Sequence, residues 1–167
     1  MSLPVADPLA APSLRRRMAA WFYEGVLVFA IGLIATLLFS VAVQMRSGID
    51  TRRWLLQGFL LVVLGIYFSY LWTRGQTLPM KTWRIRVVDR RGQRLTQGRA
   101  LLRYLFCSVW FAAPLAAYGS GRFTLPQLGV IAAGWIAVWA LLSRFHPQRQ
   151  FWHDVFAGTR LVDAPER

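Results

Sequence analysis

The chain has 167 residues, of which 56% are hydrophobic and 16% charged, against roughly 25% charged in an ordinary soluble domain. With aromatic residues at 14% and a mean hydropathy of +0.39, too few polar groups remain to cover a water-soluble sphere, which excludes intrinsic disorder and an ordinary soluble enzyme. Twenty basic residues against seven acidic ones give +13, a balance that in a soluble chain suggests nucleic acid but in a membrane chain marks cytoplasmic loops, so no nucleic-acid partner is expected.

The first fourteen residues are rich in Pro and Ala, lack periodicity, and read as a disordered tail. A helix needs about 20 apolar residues to cross a hydrocarbon core of roughly 30 Å. Four stretches meet that length: 18–43, with Glu24 as its only charge; 54–72, with none; 100–118, with Arg103 near its start; and 125–142, interrupted early by Pro126 and Gln127. The first is too long for the apolar core of a cleavable signal peptide, about 7 to 15 residues, and reads as an uncleaved membrane helix. The fold class expected is all-α membrane: a four-transmembrane-helix bundle over a domain spanning 15–163, followed by a short tail at 164–167.

Basic residues are retained on the cytoplasmic side during insertion. Arg15, Arg16, Arg17, the eight basic residues of 73–99, Arg103, and Arg144, Arg149, Arg160 and Arg167 make sixteen on one side; Arg46, Arg52, Arg53 and Arg122 make four on the other. Both termini are therefore expected in the cytoplasm of an inner-membrane, multi-pass protein. Within the basic loop 73–99, Trp83, Ile85 and Val87 alternate with Arg84, Arg86 and Val88, and Arg90-Arg91-Gly92-Gln93 supplies a turn before Arg94 and Leu95, the pattern of a small β-hairpin. A lone hairpin is marginal in water, so it is expected to lie on the membrane surface or against the carboxy-terminal tail. Lys81, Arg84, Arg86, Arg90 and Arg91 are then candidate contacts to anionic lipid headgroups of the cytoplasmic leaflet. Gly25 with Gly32, Gly58 with Gly65, and Gly129, Ala133 and Ala137 mark faces where helices can touch.

Glu24 lies seven residues beyond Arg17, about 10 Å along the helix axis, near the inner boundary of the hydrocarbon. A carboxylate there must be paired, hydrated or protonated. Arg103 enters the third helix from the same side and is the better partner, and Asp154 returns to that side in the carboxy-terminal tail. Arg17, Glu24, Arg103 and Asp154 are therefore candidates for an ion or proton site, or for a structural charge cluster that fixes helix register. His146 and His153 are separated by Pro147, which breaks any helix joining them, and the single cysteine, Cys107, cannot assist a metal site. Neither a metal nor another cofactor is expected. No Ser-His-Asp order, glycine-rich phosphate loop or paired catalytic carboxylates appear, so enzymatic activity is not expected either. Gly75 at the end of the second apolar stretch reads as a helix terminator.

These motifs resemble the RDD family of bacterial membrane proteins. Arg17-Met18-Ala19-Ala20-Trp21-Phe22-Tyr23-Glu24 is similar to its first element, with glutamate where aspartate is usual. Gly75-Gln76-Thr77-Leu78, Arg84 to Asp89, Gly92 and Arg99 to Arg103 are similar to its second, with Pro79 where glycine is common. Trp152 to Val162, with Asp154 as the second aspartate, is similar to its ending. The resemblance implies a role in transport, since some members are associated with cation/proton antiport, or an accessory role beside a larger membrane complex. Four short helices enclose little volume, so a conduction path implies homo-oligomerisation or a partner.

Overall fold

The computed structural model describes residues 9–44 and 52–164. Ten elements follow in chain order: α1 (Leu14–Ala42), α2 (Arg53–Thr73), α3 (Leu78–Thr82), β1 (Ile85–Asp89), α4 (Gln97–Ser108), a 3-10 turn (Val109–Phe111), α5 (Ala112–Gly119), α6 (Leu125–Phe145), α7 (Trp152–Ala157) and β2 (Thr159–Asp163). Three helices are long and apolar enough to cross a membrane, or four if the bent pair formed by α4 with its 3-10 turn and α5 is one span.

Local chemistry sets the ends of these elements. Ser13 caps α1 by accepting the Arg16 N–H, so the helix starts four residues before the apolar run. Within the expected tail, Pro12 is buried and Leu9 lies against Gly92, whereas residues 1–8 fall outside the described residues. Gly75, at φ +95°, terminates α2 as expected. Pro126 and Gln127 start α6 rather than interrupting it: proline occupies the first turn, where its missing N–H costs nothing, and the Gln127 side chain accepts the Thr124 N–H at 2.8 Å in a capping box.

The third apolar stretch is not one straight helix. α4 and α5 are bent by 48°. Pro114 has no N–H for the carbonyl four residues earlier, and that carbonyl, on Trp110, instead accepts the indole N–H of Trp135 on α6 at 2.7 Å. The break thus becomes a tie between the third and fourth apolar segments, extended by the stacking of Trp110 on Trp139, with ring centroids 5.2 Å apart.

The expected hairpin is corrected. Ile85–Asp89 forms a strand, but its antiparallel partner is Thr159–Asp163, with Val87 opposite Leu161, and Arg94 and Leu95 lie outside any strand. The alternation of Arg86 with Ile85 and Val87 predicts a strand but not its mate. Asp89 decides against the local partner: its carboxylate accepts the Arg91 and Gln93 N–H groups at 2.8 and 2.9 Å and pairs with Arg99. The turn therefore closes on itself and leads directly into α4. Gln150 fastens β2 by exchanging two hydrogen bonds of 2.9 Å with the Leu161 backbone, and Gln76 donates to Ile85 O at 2.8 Å.

The core sits at this end of the molecule, where Trp72, Ile85, Val87, Leu95, Ala100, Tyr104, Trp110, Phe151 and Leu161 are buried together. Arg16 ties both described ends of the chain to it, through Asp163 at 2.5 Å and the Trp83 and Arg84 carbonyls. Away from this cap the apolar helices are largely uncovered: Phe22, Leu37, Val62, Leu115 and Val130 are each at least 60% exposed, as lipid-facing side chains are. The expected glycine contacts form at one position. A Cβ on Gly65 would lie 3.3 Å from the Tyr104 ring, whereas Gly25, Gly32, Gly58 and Gly129 face open space.

Candidate functional site

The four charges singled out from the sequence separate into two sites. Arg103 does not pair with Glu24. It enters from the second turn of α4 and donates from Nε to Asp154 Oδ1 at 2.7 Å, with side chains only 4% and 0% exposed. Its guanidinium stacks over Trp72, 4.2 Å from the ring centroid. Thr159, the first residue of β2, donates to the same carboxylate oxygen at 2.9 Å. Helix α7 presents Asp154 to this position because it is one and a half turns long and is stopped by Gly158 in the left-handed conformation, φ +67°. The ion pair thus joins α2, α4, α7 and β2.

His153 forms the next layer. Its Nδ1 accepts the Trp110 indole N–H at 2.8 Å, so the neutral ring carries its proton on Nε2, which faces Asp154 Oδ2 at 3.4 Å. Burial pushes the imidazole pKa down to about 4, with Arg103 and Arg17 adding to the effect against the opposing pull of Asp154. Asp154 is itself held below the ordinary carboxylate range: burial raises it, and Arg103, His153 and the Thr159 hydroxyl more than offset that. The imidazole is therefore neutral, with its Nδ1 lone pair taken up by Trp110.

Arg17 is buried too. Its guanidinium lies over Phe151, 4.5 Å from the centroid, and donates to the Arg149 carbonyl at 2.7 Å. Arg149 adopts φ +51°, a left-handed conformation unfavourable for a residue with a Cβ, so Arg17 fixes the path of the connection that brings α7 under α4. Arg17, Arg103 and Asp154 together seal the cap.

Glu24 makes no direct contact with this lock, although it lies within electrostatic reach of Arg103. Tyr67 of α2 donates to its Oε1 at 2.8 Å, and the Thr77 hydroxyl donates to its Oε2. Thr77 is fully buried and is also the N-cap of α3, so its position is set by the backbone of that helix. Among the described residues no cation lies within ion-pair distance of Glu24. A cleft of about 320 Å³ opens beside the pair of hydroxyls, walled by Leu27, Ile31 and Leu71, with Lys81 at its rim. Nothing in the sequence marks Tyr67 as a partner, because a tyrosine in an apolar run has many uses, and the motif Gly75-Gln76-Thr77-Leu78 singles out Thr77 without saying what it meets.

The expected lipid contacts take different places. Lys81, Arg84, Arg90 and Arg91 are exposed. Arg84 offers its carbonyl to Arg16 and to the Ala164 N–H; Arg86 is half-buried on β1 opposite Val162; Arg90 leans on Gly158. Cys107 is partly buried and packs against the core.

Apolar helices left open along their length, and a polar cap locked by a buried ion pair, define a helical protein of membrane type. Its family follows from the sequence as a whole: the chain belongs to the RDD family, whose profile matches residues 11–158. No curated protein and no solved structure matches it.

Proposed function

We propose that the protein is a multi-pass component of the bacterial inner membrane that contributes to transport by exchanging a cation for protons at Glu24, with both termini and the small sheet in the cytoplasm. The distribution of sixteen basic residues against four supports that orientation. One observation carries the exchange reading: the Glu24 carboxylate is held by two neutral hydroxyls rather than by a guanidinium. Carboxylate and hydroxyl oxygens are the ligands hard cations take. Each hydroxyl can turn its hydrogen away and offer a lone pair instead. A proton on Glu24 and a cation between Glu24, Tyr67 and Thr77 would then be mutually exclusive occupants, which is the requirement for exchange. Arg17, Arg103 and Asp154 hold the cap together and stay fixed during it. No catalytic or cofactor role forms part of the proposal.

The uncovered apolar faces favour association with further copies or with a larger membrane complex. The same faces, with Gly25, Gly32, Gly58 and Gly129 unpartnered, favour a second reading, an accessory module that stabilises another membrane assembly. Purified protein in proteoliposomes separates the two. Cation-driven proton flux that disappears in Glu24→Gln supports exchange; flux that persists unchanged in Glu24→Gln excludes this carboxylate, and no flux without a copurifying partner selects the accessory reading.

A further inference from the structure

Separate from the cleft beside Tyr67 and Thr77, and sharing no lining residue with it, a second cleft of about 340 Å³ lies between the turn after β1, strand β2 and the connection from α6 to α7. That volume is at the lower end for small-ligand pockets, enough for a headgroup and too small for acyl chains. Its charged lining comes from Arg90 and Arg160, with no carboxylate among the lining residues. The remaining described acids are engaged elsewhere: Glu24 with Tyr67 and Thr77, Asp89 with Arg99, Asp154 with Arg103, and Asp163 with Arg16. Among the described residues, two guanidiniums from separate segments thus line one cleft with no carboxylate within ion-pair distance.

Arg90 is positioned without being neutralised. Gly158 has no Cβ, and Arg90 Nε would lie 3.5 Å from one; the guanidinium rests on this bare backbone and reaches the Val155 carbonyl at 3.4 Å. Arg160 is fixed by its register opposite Val88. His146 accepts the Gln148 N–H at Nδ1, which leaves Nε2 as the donor of the ring. The cleft begins where α6 ends: Phe145, the last residue of that helix, is 82% exposed, and Trp152 is half-buried beside His146. Aromatic residues at the end of an apolar helix mark headgroup level.

We propose that this cleft binds a single phosphate group, carried by an anionic phospholipid headgroup or by a free phosphate ion, with Arg90 and Arg160 as its cationic ligands and His146 as a further donor. Planar guanidiniums suit phosphate oxygens because they present paired N–H groups.

The full chain in detergent, examined by native mass spectrometry with phosphatidylglycerol or phosphatidylcholine and by titration calorimetry with inorganic phosphate, tests this. The comparison is among Arg90→Gln, Arg160→Gln and Arg94→Gln, the last removing the same charge from an exposed position outside the cleft. Retention of phosphatidylglycerol over phosphatidylcholine, weakened about tenfold by either cleft variant and less than about twofold by Arg94→Gln, supports the site with a lipid as source. Inorganic phosphate binding with the same dependence on the variants supports it with the free ion as source. Equal weakening by all three variants, or retention of anionic phosphatidylglycerol no greater than that of zwitterionic phosphatidylcholine together with no binding of inorganic phosphate, overturns it. Should Arg160→Gln disturb the strand, Arg90→Gln, which lies outside both strands, decides between these outcomes.

Discussion

Replacing Asp154 by Asn removes one charge and little volume from the most buried ion pair of the cap. Arg103 and Asp154 are 4% and 0% exposed and 2.7 Å apart, so the substitution leaves a guanidinium in a site where water cannot replace the lost carboxylate. Breaking a buried pair in this way costs about 3–5 kcal/mol. The Trp72 ring, 4.2 Å from the guanidinium, offsets about 1–2 kcal/mol at most and is already present in the native protein, so it does not reduce the difference. For a chain of this size each kcal/mol moves the unfolding midpoint by about 2–4 °C, giving an expected loss of roughly 10 °C for Asp154→Asn in a fixed detergent. The double variant Arg103→Met/Asp154→Leu removes both charges, and replacement of a buried pair by apolar groups is often close to neutral; it is expected to recover most of the loss. A cycle of single and double variants measured by thermal unfolding provides the test. A loss under about 1 kcal/mol for Asp154→Asn, or a double variant as unstable as the two single losses added, would refute the lock.

Two other outcomes are checked by the same unfolding assay. The folded-state pKa of His153, about 4, lies below that of a free imidazole, so the unfolded chain takes up a proton that the folded chain excludes. Stability is then level above about pH 7 and falls by about 3 kcal/mol as pH drops from about 6.5 to 4. His153→Gln should abolish that slope, leaving the later loss, below about pH 4, that follows from protonating Asp154. Gly65→Val should destabilise by about 1–3 kcal/mol, because its Cβ meets the Tyr104 ring at 3.3 Å and displaces the hydrogen bond of 2.9 Å from Tyr104 to Leu61 O. Gly58→Val, facing open space, should not destabilise in this way.

Three of the four apolar stretches were legible as helices because length and hydrophobicity alone decide them, whereas the break of the third at Pro114 was not; Gly75 was legible because its place at a helix exit has one main use. The pairing of charges was not. Arg17, Glu24, Arg103 and Asp154 all belong to one end of the chain's path, but which carboxylate meets Arg103 depends on where α7 docks, and that is set by Arg17 holding the Arg149 carbonyl and by Gly158 stopping the helix. Ile85–Asp89 was recognisable as a strand by alternation, whereas its partner lies about seventy residues away and could not be distinguished from a local mate by pattern. Pro126 misled in the other direction, since proline in the first helical turn and proline within a helix differ only by where the helix begins. Tyr67, Trp72 and Gln150 carry no signature outside the fold that assembles them, and Thr77, though part of the Gly75-Gln76-Thr77-Leu78 motif, is not marked there as a partner of Glu24.

Infrared difference spectra of the full chain in lipid, recorded across a pH titration with and without sodium or potassium, observe the Glu24 carboxyl directly. The exchange reading requires a protonated-carboxyl band that vanishes in Glu24→Gln, survives in Tyr67→Phe with an altered frequency, and titrates at a midpoint displaced by the cation. A Glu24 band whose midpoint is indifferent to either cation, or spectra in which Glu24→Gln changes nothing, would contradict it.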